Sequence, residues 1–66
     1  MLEAMEHLEQ ALRINPDSAE AHYDLGVALE QAGRVGEAVE HYQQALRIKP
    51  GYTEARSALA RLRARQ

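Results

Sequence analysis

The chain has 66 residues, 45% of them hydrophobic and 27% charged, with a formal net charge of −2 and no cysteine. That length holds one small domain, disulfides and thiolate metal sites are excluded, and the charge is too slight to argue for nucleic acid or a membrane surface. A domain this small buries only about 60% of the surface its unfolded chain exposes, so a partner surface, another copy of the chain included, is the usual route to stability left open.

Two prolines and four glycines break the sequence at Asn15-Pro16-Asp17, at Gly33-Arg34-Val35-Gly36 and at Lys49-Pro50-Gly51. The first segment, Leu2 to Ile14, places Ala4, Met5, Leu8, Ala11 and Leu12 on one face of a 3.6-residue helix. The second, Ala19 to Ala32, repeats that spacing at Ala21, Leu25, Ala28, Leu29 and Ala32. Asp17 with Glu20 is the expected capping box, and Gly33 is a ready terminator. The third, Glu37 to Ile48, sets Ala38, Val39, Tyr42, Ala45 and Leu46 on one face, and Pro50 ends it. The fourth, Thr53 to Arg65, turns Ala55, Ala58, Leu59 and Leu62 inward. Nothing reads as a strand. Short connections make neighbouring helices antiparallel, and Leu25, Leu29, Tyr42, Ala45, Leu46 and Leu59 are the expected core.

A shift of 34 residues lays Leu2–Pro16 on Gly36–Pro50. Identical pairs are Glu3/Glu37, Ala4/Ala38, Glu6/Glu40, His7/His41, Gln10/Gln44, Ala11/Ala45, Leu12/Leu46, Arg13/Arg47, Ile14/Ile48 and Pro16/Pro50. The other half repeats more weakly, at Glu20/Glu54, Ala21/Ala55 and Leu25/Leu59. A helix-turn-helix unit with that period marks a helical repeat protein. The motif His22-x₂-Leu25-Gly26-x₂-Leu29, then Ala38-x₃-Tyr42, Ala45 and Pro50, resembles the tetratricopeptide repeat (TPR) family over the whole chain, with His22, Leu29 and Tyr42 standing for the pattern's Trp, Tyr and Phe. The resemblance implies an all-α fold, a right-handed α-α superhelix of four antiparallel helices, in a single domain 1–66. Residues 1–16 are the second helix of a partial repeat, 17–50 a complete repeat, and 51–66 the first helix of a further one. That phase reads as a cut from a longer array or a small engineered piece of one.

Gly26 lies inside a helix, where glycine costs about 1 kcal/mol against alanine. Close approach of the third helix, whose Ala38 and Ala45 offer a small-residue face, is the expected compensation. On that basis Gly26→Ala is expected to be tolerated or stabilising and Gly26→Leu to disrupt the fold.

In TPR proteins the first helices of the repeats line a concave, ligand-binding face. By resemblance that face is Glu20, Tyr23, Asp24, Val27, Glu30, Gln31, Glu54, Ser57, Ala58 and Arg61. It reads as a groove for an extended or helical peptide, or as a solvated face if two such helices are too few to form one. One TPR subclass clamps the C-terminal carboxylate of heat-shock chaperones with Lys and Asn. The matching positions here are Tyr23, Asp24, Val27, Glu54 and Ala58, and their acidic members would repel a carboxylate.

His7, His22 and His41 are the only candidate metal or acid-base groups. His7 and His41 are repeat copies, each four residues after a glutamate, and copies one repeat apart do not converge on a metal. No nucleophile motif, phosphate loop or paired catalytic carboxylate occurs, and Gly33-Arg34-Val35-Gly36 joins two helices without following a strand. The chain is therefore expected to be no enzyme and to need no cofactor. No apolar run approaches the ~20 residues that cross a bilayer, and the N-terminus lacks the basic start of a signal peptide, so the cytoplasm is the default compartment.

Residues 1–15 carry Glu3, Glu6, Glu9 and Arg13, net −2, and residues 53–66 carry Glu54 against Arg56, Arg61, Arg63 and Arg65, net +3. The arginines allow three readings: weak evidence for nucleic acid, a polar capping helix, or one half of a self-association contact. In the last, Met5 and Leu8 of one chain meet Leu59 and Leu62 of the next. Function is thus expected to be a protein- or peptide-binding scaffold, with a self-assembling repeat module as the alternative.

Overall fold

A computed structural model describes residues 2–65, of Leu2 the backbone alone. Four helices occur among them: α1 (Leu2–Ile14), α2 (Ala19–Gln31), α3 (Val35–Ile48) and α4 (Thr53–Arg65). Each packs on its sequence neighbours, most extensively α2 on α3, and the result is a slab of 32 × 25 × 14 Å. Turns of three or four residues fold each helix back on its predecessor.

The punctuation works as backbone chemistry, with two departures from expectation. Ser18, not Asp17, caps α2: its Oγ accepts the Ala21 N–H at 3.2 Å. Asp17 belongs to the preceding turn instead, its N–H donating to the Asn15 side chain at 3.3 Å, as Asx turns do. At the far end Gly33 takes φ +82°. The Arg34 N–H then donates to the Leu29 carbonyl and the Gly33 N–H to that of Glu30, the paired bonds of a Schellman ending. Helix α3 begins at Val35, two residues before the expected Glu37. A bidentate Arg34–Glu37 pair, with Nη2 to Oε1 at 2.9 Å, spans its first turn, so Val35 and Gly36 are helix rather than loop.

The main core gathers Met5, Leu25, Ala28, Leu29, Ala38, Tyr42, Ala58, Leu59 and Leu62, and a second cluster joins Ala19, Ala45 and Ala55. Leu46 departs from expectation: it is half-buried and packs at the edge of both clusters. Tyr42, Ala38, Ala45 and Ala55 are fully buried. Gly26 is required where it stands, because a Cβ there would lie 2.7 Å from Cε1 of Tyr42 and 2.8 Å from Cδ1. The close approach is therefore to an aromatic ring, not to the Ala38–Ala45 face.

The repeat copies differ in their surroundings. Ala4 and Ala11 are exposed, whereas Ala38 and Ala45 are at 0%. Ile14 is 86% exposed, while Ile48 packs against the Ala19–Ala45–Ala55 cluster.

Candidate functional site

Helices α2 and α4 lie side by side on one face and enclose a shallow cavity of about 390 Å³. Tyr23 from α2 and Thr53, Glu54, Ser57, Ala58 and Arg61 from α4 line it. Five of these were legible in the sequence, and Thr53 was not. Ala58 is buried and forms the floor. Glu20, Asp24 and Gln31 are exposed along α2, and Val27 is half-buried; none of these four lines the cavity.

Glu30 fastens one end of the groove. Its carboxylate accepts the Tyr42 hydroxyl proton at 2.9 Å and a bidentate pair from Arg61, whose Nη2 is 3.1 Å away. One side chain thus ties α2 to both α3 and α4. The Arg61 hydrogen bonds hold the Glu30 carboxyl below its ordinary range against an opposing effect of burial. Burial, and then the Glu30 carboxylate, push the Tyr42 phenol well above its own. Arg61 is consequently engaged by the protein itself.

The other end is aromatic and acidic. Tyr23 and Tyr52 sit with ring centroids 5.2 Å apart, Tyr23 also meets Tyr42 at 5.6 Å, and the Lys49 ammonium lies 4.9 Å over the Tyr52 ring. Burial, then the carboxylates of Asp24, Glu20 and Glu54, raise the Tyr52 phenol above its ordinary value. Of these carboxylates Glu54 lines the cavity with Tyr23.

The structure also brings together two histidines not paired from the sequence. His22 Nδ1 and His41 Nδ1 are 3.1 Å apart, with the rings stacked at 5.3 Å, and His22 Nε2 lies 3.0 Å from the Pro16 carbonyl. That carbonyl only accepts, so Nε2 of His22 carries a proton, and in the neutral pair the His41 Nδ1–H donates to His22. Protonating both rings sets two N–H groups and two cations against each other. Burial, then His22, lowers the His41 pKa below its ordinary 6.5, while Glu40, Glu37 and Glu9 act in the opposite sense. A depressed folded-state value gives stability that is present above the unfolded pKa and is lost as pH falls through the folded one. The melting temperature should therefore decline as pH drops below about 6.5, before the carboxylates titrate. His41→Gln should flatten that decline; an unchanged acid slope would show the pair to be uncoupled from stability. His7 stands exposed on α1. Among the described residues no three His, Cys, Asp or Glu side chains gather as metal ligands would.

Stacked antiparallel helices with a 34-residue period and a lateral groove define a helical-hairpin repeat protein. The family model for the tetratricopeptide repeat matches residues 2–53, and the chain belongs to that family, whose repeats are in general protein–protein interaction modules. No curated protein matches the chain. None of the described helices is long and apolar enough to cross a membrane.

Proposed function

We propose that the chain is a non-catalytic scaffold, needing no cofactor, that holds a protein or peptide partner in the groove between α2 and α4, and that the partner presents basic side chains there. The observation supporting this is the groove's chemistry. Glu54 lines the groove together with Tyr23, Tyr23 pairs with Tyr52, Asp24 and Glu20 are exposed on the same helix as Tyr23, and Arg61 is already paired with Glu30. An arginine or lysine arriving over Tyr23 would gain a ring face and nearby carboxylates together.

A capped five-residue peptide with two arginines flanking a leucine is the probe. It should bind, lose affinity as salt rises, and bind about tenfold more weakly to the Asp24→Lys, Glu54→Lys variant, roughly the effect of one or two lost charge contacts. An analogue with glutamates should not bind. Binding of neither peptide would remove the groove reading, and preference for the acidic one would reverse its charge.

A second reading, association with another copy of the chain, is favoured by the opposite net charges of residues 1–15 and 53–66. Three of the four residues expected at that contact are already used by their own chain. Met5, Leu59 and Leu62 are 8%, 4% and 2% exposed within their own chain, because they belong to its core. Leu8 alone of the four remains partly accessible.

A further inference from the structure

We infer that His22 and His41 form a two-imidazole site for a divalent transition-metal ion of the zinc type, which clasps α2 to α3 across the helical hairpin. Imidazole nitrogen suits zinc, copper and nickel, whereas magnesium and calcium take oxygen. The backbone under the pair is rigid. Gly26, one turn along α2 from His22, packs on the ring of Tyr42, the chain neighbour of His41, with no room for a Cβ.

The ligand spacing is close to what one ion needs. The two Nδ1 atoms are 3.1 Å apart. Two nitrogens on a tetrahedral zinc, each at ~2.0–2.1 Å, stand roughly 3.3–3.4 Å from each other. The nitrogens lie between ring centroids 5.3 Å apart, so each ring pivots to turn its lone pair toward a common point. Both histidines are only half-buried, which gives the ion a way in from solvent. Among the described residues no third His, Cys, Asp or Glu joins them. Water fills the remaining positions, and the fold does not depend on the ion.

The surroundings prepare the nitrogens. A metal-binding imidazole is normally fixed by donating its other N–H to a carbonyl or carboxylate. His22 has this arrangement, with Nε2 3.0 Å from the Pro16 carbonyl, so its Nδ1 presents a lone pair. His41 gives up the Nδ1 proton of the hydrogen-bonded pair and takes one at Nε2, so both rings bind the ion as neutral ligands. The carboxylates of Glu40, Glu37 and Glu9 act on His41 in the sense that favours a cation there, while burial and His22 oppose a second proton. One shared dication satisfies both conditions, where two imidazolium rings would repel each other.

Zinc chloride titrated into the 66-residue chain tests the site, with the ring nitrogens followed by long-range proton–nitrogen correlation spectra. His7, exposed on α1, is the control within the same molecule. The Nδ1 signals of His22 and His41 should move together and saturate at one ion per chain, while His7 lags. The melting temperature should rise with zinc, as binding to the native state requires, and magnesium chloride should not reproduce the rise. His22→Gln and His41→Gln, each checked for helicity and melting without metal, should weaken zinc binding by at least about tenfold, the lower end of what loss of a supporting group alone costs. Equal movement of all three histidines, full affinity in both variants, or the same response to magnesium would mean an adventitious ion only. Ring signals of His22 and His41 unmoved up to millimolar zinc would overturn the site outright, and they decide the matter alone should a variant fail to fold.

Discussion

Tyr42→Ala should cost about 3–5 kcal/mol, the range for truncating a buried aromatic side chain, and should leave the chain largely unfolded at 25 °C. Tyr42 is the largest fully buried side chain. Its ring fills the space over Gly26, meets Tyr23, and its hydroxyl binds Glu30 at the point where α2, α3 and α4 are joined. Truncation therefore opens a cavity and takes away one of Glu30's partners at once. Small domains hold only a few kcal/mol in reserve. Tyr42→Phe keeps the packing and gives up one hydrogen bond to a charged group, about 1.5–3 kcal/mol, less here because the pair is only partly buried. Thermal melting by circular dichroism should rank parent, Phe and Ala variants in that order. A cooperative transition for Tyr42→Ala within a few degrees of the parent would show that the core does not centre on this ring.

Gly26→Ala should be destabilising, contrary to what helix propensity alone suggests. Alanine gains about 1 kcal/mol over glycine in a helix interior. Against this, its Cβ would stand 2.7 Å from a ring atom, and the ring is buried and anchored by its hydroxyl, so it cannot swing aside. Overpacking of this kind costs about 1–3 kcal/mol, and the larger part of that range exceeds the propensity gain. Gly26→Leu, with a whole side chain to place, should abolish the folded state. Joining Gly26→Ala to Tyr42→Leu should recover part of the stability lost by the singles, which a melting-based double-mutant cycle would register as a coupling. Simple additivity would mean that the two sites do not touch.

The helices were legible because apolar spacing and Pro/Gly punctuation report the same boundaries. The 34-residue identity then set the order of helices without reference to contacts. What remained hidden depends on distances between helices. Gly26 was recognised as a close approach, but its partner was misjudged, since sequence spacing does not say whether Tyr42 or the alanine face lies opposite. The same limit hid the His22–His41 pair, although both lie on opposite sides of one turn within a single helical hairpin, a cue that could have paired them. Leu46 was expected in the core because it shares a face with Tyr42, yet helix α3 ends near the margin of both clusters. Leu46→Ala should accordingly cost less than the ~2–5 kcal/mol of a fully buried leucine. Leu59 and Leu62 were read as inward and are buried, as is Met5; offering the same three to a second copy assigned them a second use. In so small a chain such side chains are consumed by its own core before they can serve a partner.

The groove carried a weaker signature. Its position follows from the repeat phase, but its chemistry depends on which charges are already spent. Arg61 looks like a cation open to a ligand until the Glu30 pair is seen. Glu20, Asp24 and Glu54 look like scattered surface acids until their charges are seen to act together on the Tyr52 phenol. These pairings exist only once α2 and α4 stand side by side.

Amide chemical-shift mapping of the 66-residue chain during titration with the arginine-leucine-arginine peptide tests the proposed function most directly. Shifts should concentrate at Tyr23, Asp24, Tyr52, Glu54, Ser57 and Arg61, with α1 and the outer face of α3 unmoved. Shifts centred on α1 or α3, or no shifts up to millimolar peptide, would contradict it.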